Sequence, residues 1–512
     1  MSLTSLRRRY LHNVVVTAAA LLTLQLPQCA TTKVELSPVS TTYLPSNDQG
    51  LLEFGSASVG KIVYSAQHKL IYAAGKNMLH VINVAEPAEP EVELSKFESE
   101  MEFAGIAECN DLVFVTVRNM ADRGKGQFRV YSGYVQGFQL LAKHEVGANP
   151  GDVIVREDCK SAVISLEGEP YVDGTGSVVD PEGEVLIAKF PEGVTDNGSV
   201  KIMRIDFGHL NDHAEKYEQY GARFVSKHYS MNSTFSQDLE PENAVIDEFE
   251  DTLYVTLQEN NAIAEIDLWE GRVTHIHGLG SKKWGYLDAS DKDGGAQITY
   301  WPIRAWYQPS GIQFYQWKFM KLLITANQGS ARHYEQTRDI SQSDLASTVP
   351  DIIKQGIEDD KRLGRLQMSA RDGKNAKDKY SKLYTFGGRS FTIWTISGGP
   401  LMRVFDSDSQ IEERTAKRCP HLFNRDVHTD DRSDDMGPEP NTIAVGEIDD
   451  HLFIFIGIKH PGTIFVYKLG NNLKTPSFQT VFCHGIPVDE TKSYKQMYED
   501  HDVYTAGVKD LK

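Results

Sequence analysis

The 512-residue sequence predicts an all-β chain folded as a seven-bladed β-propeller, interrupted by a long and partly helical inserted loop. Three observations carry the prediction. A unit of short alternating strands recurs along the chain. Each unit is punctuated by Gly, Asn and Asp turns of the kind that join antiparallel strands. A sheet of three or four such strands leaves a face uncovered, so the units have to stack on one another, most simply around an axis. A pair of β-sandwiches is the rival arrangement, being built from the same short strands.

The first element is not part of that repeat. Arg7, Arg8 and Arg9 precede the apolar run 14–26, the pattern of a secretory signal: a charged start, then an apolar stretch too short to span a bilayer. Residues 1–30 are read as that signal, with Ala30 suited to the cleavage position. No later apolar run is long enough to cross a membrane, and the terminal "YTAGVKDLK" carries no lipidation motif. The expectation is a secreted or extracellular protein with one propeller domain over 34–512.

The repeat is clearest when "EPENAVIDEFEDTLYVTLQENNAIAEIDL", from Glu240, is set beside "EPNTIAVGEIDDHLFIFIGIKHPGTIFVYKL", from Glu439. Both run Glu-Pro, strand, acidic turn, strand, loop, strand. Degraded copies begin at Val59, Phe103, Asn149 and Gln308, and a seventh at Lys382 keeps only the later strands. Residues 328–379 lack strand character and are rich in Asp, Lys, Arg and Ser, so they form the insertion.

Charge excludes one class of partner. The formal net charge is −18, and phosphate backbones require a basic face, so nucleic acid is not expected. Cations and cationic surfaces are the complementary partners. Of five cysteines, Cys29 falls within the signal, which leaves Cys109, Cys159, Cys419 and Cys483 as an even set with no zinc-like spacing. The repeat map pairs them locally: Cys109 and Cys159 take matching positions in consecutive units, and Cys419 and Cys483 flank the last clear one. Asn197 and Asn232 begin N-glycosylation sequons in polar stretches.

The acids are the candidate ligands. "LDASDKDGG" offers Asp288, Asp291 and Asp293 on a glycine-rich turn. An EF-hand register fails there, because position one becomes Ala289 and position twelve Tyr300. A looser set of hard oxygen ligands for Ca²⁺ remains possible, as does a turn whose carboxylates bond their own backbone. The second group is Asp430, Asp431, Asp434 and Asp435, with Glu240 and Glu439 at equivalent places in two repeats. Carboxylates crowded together raise one another's pKa unless a cation or an arginine neutralises them. Arg432 and Arg389 are the arginines within reach of such a cluster, so a cation site and a salt-bridge network are both open. No catalytic motif accompanies the acids: GxSxG, HExxH and GxxxxGK are absent, and Asp406-Ser407 stands at a strand exit with no helix expected after it.

Five ordered stretches carry a family resemblance: "QDLEPENAVIDEFEDTLYVTLQENNAIAEIDL", "LDASDKDGGAQITYWPIRAWYQPSGI", "LLITANQGSARHY", "LYTFGGRSFTIW" and "DDRSDDMGPEPNTIAVGE". From about Val59 to the C-terminus the chain resembles the choice-of-anchor I proteins. The resemblance implies a glycosylated β-propeller, secreted or surface-anchored, tied in animals to calcified skeleton or shell. The implied partner is an extracellular matrix component or a mineral phase. Some bacterial relatives are labelled alkaline phosphatases, which makes a metal-dependent phosphoesterase the alternative activity. The chain departs from the pattern at Pro309-Ser310 and at Asn327 to Arg332, where three acids of relatives are neutral, and it lacks the closing Pro-Glu strand with which relatives usually continue.

Overall fold

The computed structural model describes residues 18–22, 34–51, 57, 59–190, 194, 200–228, 233–332, 334–483, 492, 494–501 and 507–512. Asn197, Asn232, Cys29 and nearly all of the proposed signal segment lie outside the described residues. Ala18–Leu22, inside that segment, pairs antiparallel with Leu36–Thr41.

The chain is all-β with few and short helices. Four antiparallel four-stranded sheets follow one another in sequence order: 150–206, 241–278, 312–406 and 440–482. Ahead of them six extended runs between Lys61 and Gly147 bond in order, and left-handed residues at Asn77 and Glu100 divide them. Lys61–Ser65 pairs with the first half of Leu70–Asn83, whose second half pairs with residues 91–97. The Val84 N–H donates to the Lys69 carbonyl at 2.8 Å and closes the run 70–83 as a hairpin. Residues 101–109 then open a second group with Leu112–Asn119, Gly126–Ser132 and Leu140–Gly147. Among the described residues there are thus six four-stranded groups, compatible with a propeller.

The seventh expected unit is not separate. Ser390–Ile396 and Met402–Asp406 complete the sheet that Ile312–Trp317 and Met320–Asn327 begin. The repeat from Gln308 and the partial repeat from Lys382 are two halves of one sheet, split in sequence by the insertion. That is why each half looked like a unit.

Side-chain alternation explains how the sheets stack. In a strand, neighbouring residues face opposite sides, and here both sides are core. Phe114 joins the cluster of Ile164 and Leu186 in the third group, whereas Val115 joins that of Tyr72 and Leu79 in the first. Tyr254 packs with Leu323 and Trp394, while Val255 packs with Val163 and Ile187. Leu322 and Ile324 meet Ile454 and Phe465 of the last group. Strands buried on both faces read as near-continuous apolar runs, such as "LFIFIGI".

The first strands of the groups converge. Thr116 Oγ donates to the Gly151 carbonyl (2.6 Å), Ser165 Oγ to that of Glu242 (2.6 Å), and Asn243 Nδ2 to that of Ser310 (3.2 Å). Gly311 donates its N–H to the Asn441 carbonyl at 2.9 Å. A Cβ at Gly311 would stand 2.5 Å from that same oxygen, so no larger residue fits the approach. Across the middle, Lys61 Nζ donates to Asn243 Oδ1 at 2.7 Å. The C-terminal residues link the first and last groups: Asp510 accepts the Ile62 N–H (3.0 Å), the Val508 N–H reaches the Ile458 carbonyl (3.2 Å), and Asn441 donates to the Val508 and Lys509 carbonyls.

The insertion carries its own core. Leu345, Val349, Ile353, Leu363 and Leu366 pack with Trp284, Leu287 and Trp301 of the segment before the sheet 312–406, and with Leu383 just after the insertion. Among its described residues, helix is confined to Asp351–Gly356 and one 3-10 turn, Gln342–Asp344. Both disulfides pair as the repeat map expects, Cys109 with Cys159 and Cys419 with Cys483.

Candidate cation site

Two acidic stretches distant in sequence meet at one place. Asp288, Asp293 and Asp430 each present a carboxylate oxygen within 4.8 Å of the others'. Asp288 follows the short strand Tyr286–Leu287 and is fully buried. Its oxygens accept the N–H groups of Ser290 (3.2 Å) and Gln297 (2.5 Å). Asp293 comes from the same turn, which Gly294 and Gly295 complete at positive φ. Asp430 is left-handed and accepts a hydrogen bond from Ser433 Oγ.

Arg389 joins the three segments. Its guanidinium is 1% exposed and donates to the Asp288 carbonyl (2.7 Å), Glu412 Oε1 (2.8 Å), the Ser433 carbonyl (2.8 Å) and the Asp435 carbonyl (2.6 Å). The sequence singled out Arg389 as a partner for the acidic side chains, but it bonds mostly to their backbone. A planar fork of fixed donors suits that task better than an ammonium point charge. Gly437 (φ 65°) makes room for it, since a Cβ there would lie 2.8 Å from the arginine side chain.

Glu412, from the helix Gln410–Arg418, belongs to this site and was not singled out in the sequence. No spacing marks it, because it is brought in by Arg389 and Asn424 from a different segment. Its second oxygen, Oε2, is buried without a hydrogen-bond partner among the described residues, and so is Asp293 Oδ1. Burial, with Asp430 and Glu412 nearby, pushes the Asp288 carboxyl up to about 8. Burial also takes Asp430 to about 7, although the bond from Ser433 opposes it. Asp293 is raised by burial.

The other six acids proposed as ligands are held elsewhere. Asp291 pairs with Arg365 (2.7 Å) and Lys292, which keep its carboxyl low against its burial. Asp434 pairs with Arg338 and Arg365, and burial raises it nonetheless. Asp435 pairs with Arg432 at 3.0 Å. Glu439 holds Arg432 and Lys459, and those cations with His460 keep it low despite complete burial. Asp431 accepts the three successive N–H groups of 426, 427 and 428 (2.7–2.9 Å), a loop cap. Glu240 pairs with Arg332 (2.9 Å) on the other repeat. Arg338 and Arg365 come from the insertion, so sequence proximity gave no hint of them.

At Asp406-Ser407 the structure differs from the expected strand exit with no helix after it. A helix does follow it, Gln410–Arg418. Ser407 is nevertheless fully buried, its Oγ accepting the Phe391 N–H at 3.0 Å, and Asp406 faces Lys282 at 3.2 Å. A hydroxyl so enclosed has no access to a substrate.

Residues 60–472 match the choice-of-anchor I domain. The chain belongs to the choice-of-anchor I family. It is 26% identical over 352 residues to the mesenchyme-specific cell surface glycoprotein of Strongylocentrotus purpuratus, covering 60% of this chain and 45% of that protein. It is 31% identical over 134 residues to Gigasin-3a of Magallana gigas, covering 25% of this chain and 46% of the relative. The aligned stretches thus span less than half the length of either relative. Among solved structures, a putative 6-phosphogluconolactonase of Bacteroides fragilis covers 96% of both chains at 8% identity and a TM-score of 0.46, a likeness too low to bear on function. Among the described residues no helix is long and apolar enough to cross a membrane.

Proposed function

We propose that this choice-of-anchor I protein is a secreted or surface-associated, non-enzymatic glycoprotein of propeller architecture that binds calcium and presents itself to an extracellular matrix or mineral partner. The observation that carries the calcium reading is the convergence of Asp288, Asp293 and Asp430, with buried unpartnered oxygens on Asp293 and Glu412 beside them. Hard carboxylate and carbonyl oxygens are what Ca²⁺ prefers, and Mg²⁺ gives up its waters too reluctantly for such a set. The similarity to a cell surface glycoprotein, the two disulfides and the net charge of −18 support the extracellular setting. The propeller is supported by the sheets that pack face to face in chain order and by the convergent first strands.

Calcium titrated to millimolar concentrations should raise the melting temperature, because an ion that binds only the folded state stabilises it by roughly 2 kcal/mol at fifty times its Kd. Replacing Asp293 and Asp430 together by Asn should remove that response and leave the circular dichroism spectrum unchanged. A double variant that still responds to calcium as the parent does would sink the assignment of the site. Hydrolysis of a phosphate ester that depends on added metal would overturn the non-enzymatic reading.

A further inference from the structure

Asp291 and Asp434 are neutralised, yet each shares a turn or loop with a member of the acid cluster. Asp291 stands between Asp288 and Asp293, and Asp434 follows Asp430. One side chain of the insertion reaches both. Arg365 grips Asp291 with two donors, Nε at 2.7 Å and Nη2 at 3.3 Å, and the same Nη2 meets Asp434 Oδ2 at 3.3 Å. The two carboxylates are 10% and 6% exposed, so the bridge is well covered on their side. A planar fork can span two carboxylates in this way, whereas an ammonium is a single point of attachment.

The rest of the insertion holds that bridge in place. Gln336–Thr337 pairs with Met368–Ser369, and this short ladder brings Arg338 alongside the segment of Arg365. Arg338 Nη1 donates to the Arg365 carbonyl at 2.5 Å and to the Asp434 carbonyl at 3.1 Å, and the Gln367 N–H donates to the Asp434 carbonyl at 2.8 Å. On the turn side, Ser290 Oγ donates to the Asp360 carbonyl at 2.6 Å. Leu287 and Ala289, on either side of Asp288, belong to the core that Leu363 and Leu366 of the insertion help to build. Arg389 ties the backbone of the two acidic segments from within, and the more exposed Arg365 ties their side chains from outside.

We infer that Arg365 is a positioning residue for the Asp288, Asp293 and Asp430 cluster, a role that rests on the calcium reading of that cluster. By bridging Asp291 and Asp434 it fixes the turn that carries Asp288 and Asp293 against the loop that carries Asp430, and the insertion becomes a strap across the site. Charge and position act in opposite directions here. By charge alone, removing a cation beside the site would tighten calcium binding. By position, removing it lets the two segments part, and groups that hold metal ligands in place typically contribute about 10- to 100-fold in affinity.

The test is calorimetric titration of the full chain with calcium chloride, for the parent and for Arg365→Gln, Arg365→Lys and Asp291→Asn. Each variant should bind calcium at least about tenfold more weakly than the parent. The lysine keeps the charge but cannot span both carboxylates. Combining Arg365→Gln with Asp291→Asn should weaken binding little further, because both cut the same tie. Without metal, hydrogen exchange over 286–297 and 426–437 should be faster in Arg365→Gln than in the parent, while the strands of 241–278 keep their protection and show that the fold is retained. An Arg365→Gln variant that binds calcium as tightly as the parent or more tightly, or an Arg365→Lys variant that matches the parent, overturns the inference. If the parent itself takes up no calcium, the calcium reading fails and the exchange arm decides on the bridge: faster exchange in both stretches upholds it, and unchanged exchange overturns it.

Discussion

Arg389→Met tests whether the Asp288, Asp293 and Asp430 cluster is held together by one buried guanidinium. The substitution keeps an apolar stem and removes the fork. It leaves the carboxylate of Glu412, itself 1% exposed, without its arginine, and it strips one donor each from the carbonyls of Asp288, Ser433 and Asp435. Breaking a buried ion pair by removing one partner costs about 3 to 5 kcal/mol. Each orphaned buried carbonyl adds up to about 1 to 3 kcal/mol, partly recovered by water or local movement. A loss of at least about 4 kcal/mol is expected, a large share of the ~5 to 15 kcal/mol that folded domains have in total. Arg389→Lys should fall between parent and Met, because one ammonium retains the charge but cannot span four acceptors. The assay is urea unfolding followed by tryptophan fluorescence, with the midpoint compared at constant slope. Both variants unfolding within about 1 kcal/mol of the parent would refute the claim that Arg389 organises the site.

Without metal, Asp288 near 8 and Asp430 near 7 sit far above an unfolded aspartate at about 3.9, so the folded state holds protons that the unfolded state has released. Stability should therefore fall as pH rises from about 4 to about 8, and Asp288→Asn should flatten that slope in a melting series. The calcium-induced shift should be larger at pH 8 than at pH 5, where protons compete for the same oxygens; an equal shift at both would contradict the assignment. The disulfides close separations of 50 and 64 residues, and on the chain-entropy account each contributes about 4 kcal/mol. Non-reducing peptide mapping should recover Cys109 with Cys159 and Cys419 with Cys483, and replacing either pair by Ser should lower the urea midpoint. Gly437→Ala combines a left-handed backbone with a Cβ 2.8 Å from Arg389 and should cost about 1 to 3 kcal/mol in the same unfolding assay.

The repeat was legible because alternation is local. A strand covered on both faces needs an apolar residue at nearly every position, and turns need Gly, Asn or Asp, so "TLYVTL" or "LFIFIGI" announces itself without reference to the rest of the chain. Glu-Pro at Glu240 and Glu439 marked equivalent strand starts for the same reason, and the disulfides followed from the repeat. What local pattern could not supply was grouping. Hydrogen bonding between residues 320–327 and 390–396 is non-local, so one sheet split by the insertion was counted as two units. The acids show the same division. Composition and spacing pointed to the turn at Asp288 and to the loop around Asp430, but each carboxylate's partner is set by distance in space. Arginines of the insertion capture Asp291 and Asp434, and Arg432 takes Asp435 and Glu439, whereas Asp288, Asp293 and Asp430 are left facing one another beside a glutamate from a helix that no motif marked. The sequence by itself determined that the chain is all-β, repetitive, acidic and disulfide-linked. Only the tertiary structure decided which acids are neutralised by a cationic side chain and which are left facing one another, because charge pairing acts through space and carries no period along the chain.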